Sequence, residues 1–247
     1  MNYKVKKAAV LGSGVMGSGI ACHLANVGID VLMLDIQPND KSIKNKNIIA
    51  DESLNNAIKS RPNPLYKKQY INRIVTGNFD DDFEKIKDAD WIIEVIVENL
   101  EIKKTVFEKV EKYKSSHAFV TSNTSSIPIS LLCKGRSDDF KSKFCGTHFF
   151  NPPRYLRLFE VIPHTNSDPS LISFLMDFGD IILGKQSVLC KDTPGFIGNR
   201  IGVMCGIKSS QLTDKYKFKI EEVDLMTGGV IGMPNSGTFR LQDLVGL

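Results

Sequence analysis

The sequence predicts an α/β protein in which a doubly wound sheet is followed by the start of an all-helical domain. Short apolar runs typical of buried strands alternate with stretches of helical spacing as far as residue 190. Polar residues follow several of these runs, at the strand ends where parallel sheets bind ligands. Beyond residue 190 the spacing is helical and no strand can be assigned. We therefore expect one domain over residues 1–190 and a partial helical domain over residues 191–247.

A glycine motif joins the first predicted strand to the first helix. The apolar run 8–11 leads into Gly-Ser-Gly-Val-Met-Gly at 12–17, which matches GxGxxG and opens a helical stretch. Gly12 permits a tight turn, Gly14 lets a pyrophosphate approach the backbone, and Gly17 lets helix and strand pack closely. This context predicts a Rossmann-type dinucleotide-binding unit. The residues expected to contact the cofactor here are Gly12, Gly14, Val15, Met16 and Gly17.

A carboxylate follows the second predicted strand. The apolar run 31–34 ends at Asp35, at the distance from the glycine motif where an acidic residue reads the ribose of an adenosine. Such a carboxylate accepts hydrogen bonds from both ribose hydroxyls and repels a 2′-phosphate. Asp35 therefore predicts NAD rather than NADP as the cofactor.

Two further strand ends carry polar residues. The run 91–97 predicts a strand that ends at Glu98, and the strand predicted at 118–121 leads into Ser-Asn-Thr-Ser-Ser at 122–126. The carboxyl ends of parallel strands meet at one edge of the sheet. Glu98 and the 122–126 segment are therefore expected on the same edge as the glycine motif.

A histidine and a carboxylate in an apolar strand lie twelve residues apart. His148 follows a strand-like run, and Glu160 stands inside the apolar run 158–162. Because an unpaired charge in such a strand is costly, Glu160 needs a partner. In a His148–Glu160 dyad the carboxylate would set the imidazole tautomer and stabilise its protonated form. The alternative is a structural ion pair of Glu160 with Arg154 or Arg157.

The segment 38–73 is polar and basic, and it predicts a helical excursion from the sheet domain. Two interpretations fit it equally well. It is either a solvated surface element or a basic arm that contacts a polyanionic substrate handle, such as the phosphates of coenzyme A. Its eight basic residues are Lys41, Lys44, Lys46, Lys59, Arg61, Lys67, Lys68 and Arg73.

Composition excludes several classes of protein. The formal charge of +4 over 247 residues is too small to imply a nucleic-acid surface. Five scattered cysteines without a CxxC pair suit thiols in a reducing compartment better than a disulfide frame or a zinc site. Neither a signal peptide nor an apolar run of membrane-spanning length is recognisable. We therefore expect a cytoplasmic protein with no metal and with neither nucleic acid nor membrane as a partner.

The helical end of the chain is expected to be incomplete. A helical piece over residues 191–247 that finishes on the apolar sequence Leu-Val-Gly-Leu is a poor free-standing domain. It predicts a truncated domain that associates with a second copy, as a homodimer, or with the rest of a multidomain parent chain.

Six ordered segments of the sequence resemble the L-3-hydroxyacyl-CoA dehydrogenase family. The resemblance is greatest to the N-terminal part of bacterial multidomain members that also carry an enoyl-CoA hydratase-like region. It rests on the sequence RYLRLFEVI and on the long basic segment. The resemblance implies an NAD-dependent enzyme of fatty acid β-oxidation with an acyl-CoA thioester as substrate. The segments are AAVLGSGVMGSGIA, IIEVIVENLEIKKTVF, SNTSS, GTHFFNPPRYLRLFEVI, KDTPGFIGNR and FRLQDLVGL.

The resemblance also implies roles for individual residues. His148 matches the catalytic base and Glu160 its dyad partner. Ser125 matches a serine near the 3-oxygen of the substrate, and Asn199 matches an asparagine that the helical domain presents to the substrate. Besides the glycine motif, the candidate NAD contacts are Asp35, Glu98, Lys103, Asn123, Ser125 and Asn151.

Two other functional classes fit the same fold. One is a non-catalytic cofactor-binding paralogue, which would need neither His148 nor Glu160. The other is a different NAD-dependent β-hydroxyacid dehydrogenase, which we expect to lack the sequence HFFNP found at 148–152.

Overall fold

The computed structural model describes residues 3–40, 42–233 and 235–245. Lys41 of the basic segment and the last two residues of the apolar end, 246–247, lie outside the described residues. The chain divides into two compact units, with the boundary between Phe196 and Ile197. The first unit contains the sheet, and the described part of the second is helical.

Eight strands form one sheet in the described part of the first unit. They are β1 (Lys7–Leu11), β2 (Asp30–Asp35), β3 (Ile74–Asn78), β4 (Trp91–Glu94), β5 (Phe119–Ser122), β6 (Phe144–Phe149), β7 (Leu158–Ile162) and β8 (Gln186–Leu189). Their order in the sheet is β3-β2-β1-β4-β5-β6-β7-β8. Neighbouring strands are parallel except for β6 and β7, which are antiparallel. The order 3-2-1-4-5-6 of the first six strands is that of a Rossmann-type sheet.

Helices cover both faces of this sheet. They are α1 (Val15–Asn26), α2 (Ile48–Lys59), α3 (Leu100–Tyr113), α4 (Ile129–Leu132), α5 (Asp138–Ser142) and α6 (Pro169–Ile181). Because successive side chains of a strand point to opposite faces, Ala8 and Val10 of β1 join one core, with Leu24 of α1. Ala9 of β1 joins the second core, with Phe107 of α3. The prediction of a doubly wound sheet is confirmed.

The glycine motif is shaped by two close backbone approaches. Gly12 has a positive φ of 105°, and a Cβ there would lie 2.5 Å from the carbonyl oxygen of Val95. A Cβ on Gly17 would overlap the carbonyl oxygen of Gly12. Gly14 differs, because a Cβ there would meet no atom within 4 Å. Gly12 therefore allows the loop to approach the chain that follows β4, Gly17 allows α1 to approach the loop, and Gly14 leaves open space beside the loop.

The strand predicted at 91–97 is shorter than its apolar run suggests, because β4 ends at Glu94. The side chain of Glu94 reaches the chain that follows it, where its Oε1 accepts a hydrogen bond of 2.8 Å from the amide of Ile96. Val97 lies outside the sheet and is 64% exposed. The predicted boundary was wrong because a side-chain hydrogen bond, and not a loss of hydrophobicity, stops this strand.

The basic segment 38–73 is only partly helical. It contains α2 and a short 3-10 helix, Lys68–Arg73, with irregular chain between them. Ala50 and Leu54 of α2 are buried in the same core as Leu65, which follows the helix. The segment is therefore packed against the sheet unit along one side, while most of its basic side chains are exposed.

The described helices of the second unit are α7 (Gly198–Tyr216), α8 (Ile220–Met226), a 3-10 turn (Gly229–Ile231) and α9 (Phe239–Val245). The carboxylate of Asp224 accepts hydrogen bonds from the amides of Phe239 and Arg240 at the start of α9, at 2.6 and 3.1 Å. This contact links α8 to α9, because the first amides of a helix lack partners within it. Among the described residues, no helix is both long and apolar enough to cross a membrane.

The two packing glycines and the open one should respond differently to a methyl group. We predict that Gly17→Ala destabilises the protein by about 1–3 kcal/mol or more, because overpacking a fixed backbone forces it to move. Gly14→Ala is the matched control, since its Cβ meets open space, and it should unfold at the wild-type denaturant concentration. Urea titration of both variants measures this, and equal losses would contradict the packing role of Gly17.

Candidate functional site

The carboxyl ends of the parallel strands lie side by side and form the edge on which the candidate residues gather. Leu11 of β1 is in register with Leu34 of β2 and with Glu94 of β4. Glu94 is in register with Ser122 of β5. The loops that follow these strands, including the glycine motif and the 122–126 segment, are therefore neighbours.

Asp35 is held at this edge by the glycine loop. Its Oδ2 accepts hydrogen bonds from the amide and the hydroxyl of Ser13, at 2.6 and 2.5 Å. Its Oδ1 accepts a bond of 2.7 Å from the amide of Ile36. Both oxygens are thus oriented by groups of the chain itself. Ser13 is fully buried, and its residue type and position had predicted no role for it.

A cavity of about 400 Å³ lies beside the glycine motif within the first unit. Gly14 and Val15 line one side of it, and residues of α2 line another. Asn151 and Tyr155, from the loop between β6 and β7, complete its wall. Val15 is 73% exposed, so the loop offers an open surface to a ligand. The cavity places three of the sequence-predicted contacts, Gly14, Val15 and Asn151, around one space.

His148 and Glu160 form a hydrogen-bonded pair. They are directly opposite each other in the antiparallel register of β6 and β7, and Nδ1 of His148 lies 2.7 Å from Oε2 of Glu160. Glu160 is fully buried and His148 is 6% exposed. The rings of Phe150 and Phe196 lie 4.4 and 5.7 Å from the imidazole, centroid to centroid. The structure therefore brings together the two residues predicted as a dyad.

Arg154, one of the alternative partners considered for Glu160, is engaged elsewhere. Its guanidinium donates hydrogen bonds to the carbonyl oxygens of Asn63 and Leu65, at 2.6 and 3.2 Å. It also lies over the rings of Tyr66 and Tyr155, at 4.3 and 4.8 Å from their centroids. Arg154 thus ties the loop after β6 to the basic segment.

Glu98 organises the polar segment that follows β5. Its Oε1 accepts hydrogen bonds from the hydroxyl of Thr124 at 2.5 Å and from the amides of Ser125 and Ser126 at 3.0 and 3.1 Å. Its Oε2 lies 3.2 Å from the ammonium of Lys103. Burial raises the pKa of Glu98, but these hydrogen bonds and the cation outweigh it and lower the pKa to about 2. Glu98 is therefore a fixed anion at neutral pH.

Lys103 is buried, and its ammonium is surrounded by acceptors. Only 1% exposed, it bonds to Oε1 of Glu94 at 2.6 Å and to the carbonyl oxygen of Ile96 at 3.3 Å, in addition to Glu98. Burial raises the pKa of Glu94, and the cation opposes that rise. Glu94 was missed in the sequence. The available signal was the one used for Glu160, a carboxylate inside an apolar run.

The three candidate asparagines have different surroundings. The side chain of Asn123 accepts a hydrogen bond of 2.9 Å from the amide of Phe149, which joins the 122–126 segment to the strand that carries His148. Asn151 is exposed in the loop after β6. Asn199 lies in the first turn of α7, in the second unit. The roles of all three in cofactor or substrate binding stay predictions.

The buried Lys185 was also missed in the sequence. The Nζ of Lys185 donates to the carbonyl oxygens of Pro153 and Leu156, the latter at 2.7 Å. Burial lowers the pKa of Lys185 to about 8. Lys185 thus anchors the loop that contains Asn151 and Tyr155. A single lysine beside a glycine at 184 carries no sequence signal for such a role.

Comparison with known protein families agrees with this geometry. Residues 7–193 match the model of the 3-hydroxyacyl-CoA dehydrogenase NAD-binding domain, and residues 195–247 match that of the 3-hydroxyacyl-CoA dehydrogenase C-terminal domain. The chain belongs to the 3-hydroxyacyl-CoA dehydrogenase family. The family predicted from the six sequence segments is confirmed, and so is NAD as the cofactor of the first domain.

Relatives in this dehydrogenase family extend over the whole chain. A probable 3-hydroxyacyl-CoA dehydrogenase of Bacillus subtilis is 49% identical, covering 100% of this chain and 33% of its own length. A putative fatty acid oxidation complex trifunctional enzyme of Rickettsia felis is 40% identical, covering 100% of the chain and 34% of its own length. The chain thus spans about one third of the length of these two relatives.

Solved structures of the dehydrogenase family have the same fold. (S)-3-hydroxybutyryl-CoA dehydrogenase of Ralstonia eutropha superposes with a TM-score of 0.77 at 26% identity, and covers 98% of this chain and 83% of its own. FadB2 of M. tuberculosis gives a TM-score of 0.79 at 27% identity, with 98% and 82% covered. The Rossmann-type fold predicted from the sequence is therefore confirmed.

The low pKa of Glu98 predicts an acid-dependent contribution to stability. Because its folded pKa of about 2 lies below the ordinary value of 4.5, the contribution is fully present above pH 4.5 and is lost as pH falls towards 2. The difference in unfolding free energy between wild type and Glu98→Gln should be constant from pH 5 to 7 and shrink below pH 4.5. Denaturant titration measures it, with the exposed Glu101→Gln as control. A difference that keeps its full size down to pH 2 would contradict the assignment.

Proposed function

We propose that this chain carries the NAD-dependent oxidation of (S)-3-hydroxyacyl-CoA to 3-oxoacyl-CoA, a reaction of fatty acid β-oxidation. The observation that carries the proposal is the 2.7 Å hydrogen bond between His148 and Glu160 on the sheet of an NAD-binding domain. A protein that only bound the cofactor would need neither residue. The dyad therefore favours an enzyme over the non-catalytic alternative.

The dyad is arranged for general base catalysis. When Nδ1–H donates to the Glu160 carboxylate, the lone pair of the neutral imidazole lies on Nε2. Nε2 can then accept the proton of the substrate's C3 hydroxyl, and Glu160 stabilises the imidazolium that forms. Such positioned bases contribute roughly 10²–10⁴-fold to a rate.

The residues of the cofactor edge fit a dinucleotide. Gly14 has room for a pyrophosphate, since nothing in the chain fills the space of its missing Cβ. Asp35 is oriented to receive the ribose hydroxyls of an adenosine, and Glu98 with the 122–126 segment lies on the same edge. NAD, when bound there, supplies the acceptor for the hydride of C3. The cofactor role of each individual residue is part of this proposal.

Two side chains are proposed to hold the substrate. Ser125 and Asn199 can both donate hydrogen bonds to substrate oxygens and so orient C3 for reaction. The amide of Ser125 is fixed by Glu98, at 3.0 Å, which supports a defined position for this residue.

The basic segment supports an acyl-CoA thioester as the substrate class. Two of its cations have partners in the chain, Lys46 with Asp81 at 3.0 Å and Arg73 with the carbonyl oxygen of Ala25 at 2.9 Å. We propose that CoA phosphates contact the exposed cations of the segment. The alternative interpretation is that the segment is a solvated surface element. Within the described part of the segment, the other basic side chains are all exposed, and they are Lys44, Lys59, Arg61, Lys67 and Lys68.

The helical unit is proposed to associate with a second copy or with the rest of a longer chain. Its helix α7 carries exposed apolar side chains, among them Ile201, Met204 and Ile207. The relatives named as trifunctional enzymes support the second possibility. A cytoplasmic location is part of the same proposal, and it is supported by the five cysteines, which are free thiols as expected in a reducing compartment.

The direct test of the activity is NADH formation with a series of (S)-3-hydroxyacyl-CoA chain lengths. We expect turnover with the thioesters and little with the corresponding free 3-hydroxyacids, because the thioester adds the contacts of its CoA handle. Equal activity on free acids would favour a different β-hydroxyacid dehydrogenase. Tight NAD binding with no turnover of any substrate would favour a non-catalytic paralogue.

Asp35 is predicted to set the preference for NAD. Asp35→Ala removes hydrogen bonds to a charged acceptor, so NAD affinity should fall about 10- to 100-fold while NADP affinity changes less. Asp30→Ala is the matched control, because Asp30 is an exposed carboxylate at the other end of the same strand. Titration of both cofactors against each variant gives the ratio. An unchanged NAD to NADP ratio in Asp35→Ala would remove this residue from the cofactor site.

His148 and Glu160 are predicted to act as one unit. His148→Ala should lower kcat by about 10²–10⁴-fold with NAD affinity retained. Glu160→Gln should lower kcat and change the pH–rate profile, because an amide stabilises the imidazolium less than a carboxylate does. His117→Ala, at an exposed histidine, is the control. A wild-type rate and profile in Glu160→Gln would leave the pair with a structural role only.

A further inference from the structure

Glu94 has no role in the proposed function, yet it belongs to a buried ionic network that reaches the cofactor edge. Glu94 is fully buried on β4, and Lys103 is 1% exposed on α3. Their charged atoms lie 2.6 Å apart, and the same ammonium lies 3.2 Å from Glu98. One cation thus joins two carboxylates, one inside the sheet and one at the site.

Both carboxylates accept hydrogen bonds from the same short segment, residues 122–126. Oε2 of Glu94 accepts a hydrogen bond from the hydroxyl of Ser122, where the segment begins. Oε1 of Glu98 accepts hydrogen bonds from Thr124 and from the amides of Ser125 and Ser126, where it ends. The segment 122–126 is therefore tied at two points to carboxylates that share one ammonium.

Stability alone does not explain this arrangement. Taking two charges out of water costs about as much as their attraction returns, and well-packed apolar side chains of similar volume commonly replace such pairs without loss. What apolar side chains cannot supply is direction, because only hydrogen bonds of defined geometry orient Glu98 and the hydroxyl of Ser122. The network thus has a geometric effect that a hydrophobic core lacks.

We propose that Glu94 is a positioning residue that acts through Lys103 and Ser122 to hold the 122–126 segment, and with it Ser125, in its working arrangement. The inference rests on the proposed function, because it gives Ser125 a place in the reaction. It also assigns Lys103 an indirect effect on the cofactor. The ammonium of Lys103 contacts Glu94, Glu98 and the carbonyl oxygen of Ile96, so Lys103 acts on the cofactor edge by holding these groups.

The test compares variants that remove different parts of the network. Glu94→Gln removes the charge with little change in shape, and Ser122→Ala removes one hydroxyl without changing any charge. The double variant Glu94→Gln/Lys103→Met neutralises both partners and keeps the volume. Glu101→Gln, at a carboxylate of α3 that is 79% exposed, is the matched control. Each full chain is assayed for melting temperature, for kcat and KM with a 3-hydroxyacyl-CoA, and for amide hydrogen exchange of residues 122–127.

We expect faster amide exchange in residues 122–127 of Glu94→Gln and Ser122→Ala, with exchange in α1 unchanged. In both variants kcat should fall by about 10- to 100-fold while KM changes less than about 3-fold, since a small misplacement of a reacting group affects the rate more than binding. The double variant should regain part of the melting temperature lost in Glu94→Gln, because only Glu98 is then left without its cation, but it should not regain the wild-type kcat. This separation of kcat from stability is what a purely structural pair would not produce.

Two results would overturn the inference. One is a double variant that recovers both melting temperature and kcat, which would make the pair a source of stability only. The other is a fall in kcat with no change in amide exchange of residues 122–127. Faster exchange together with a wild-type kcat would support the positioning by Glu94, and would instead contradict the role of Ser125 in the proposed function.

Discussion

The candidate site depends on one constraint, that a carboxylate buried in a strand must find a hydrogen-bonding partner inside the protein. Glu94 on β4 and Glu160 on β7 are both fully buried. Glu160 meets His148 through the antiparallel register of two strands, whereas Glu94 meets Lys103 through the packing of α3 against the sheet. Because an uncompensated buried charge is costly, a change in register or helix packing would be opposed by the same residues that form the site.

The sequence predicted features that depend on local pattern. Residue type and spacing within a short stretch were enough to predict the glycine motif, Asp35 and the His148–Glu160 pair. The end of β4 was not found, because the apolar run continues through Val97 while a hydrogen bond from Ile96 to Glu94 stops the strand. Lys103 was proposed from family resemblance as a cofactor contact, and the structure shows that it pairs with the carboxylates of Glu94 and Glu98.

Contacts between distant parts of the chain explain what the sequence could not show. Lys185 binds carbonyl oxygens of Pro153 and Leu156, some thirty residues earlier, and no periodicity links these positions. Arg154 similarly reaches Asn63 and Leu65, about ninety residues away. Both contacts go to backbone carbonyls, which every residue possesses, so residue types give no signal for them. The shape of the loop after β6 is therefore a tertiary property.

The hydrogen bonds around the candidate site lower the entropic cost of binding a ligand there. Asp35 is oriented by Ser13, Glu98 by the amides of Ser125 and Ser126, and the imidazole of His148 by Glu160. Each group is fixed by its own chain before any ligand arrives, so little rotamer entropy remains to be lost on binding. The hydrogen bonds to Glu98 and its contact with Lys103 also lower the pKa of this carboxyl to about 2, so it stays ionised in a partly buried setting. Preorganisation of this kind lowers the entropic cost of binding at the candidate site through contacts within the chain.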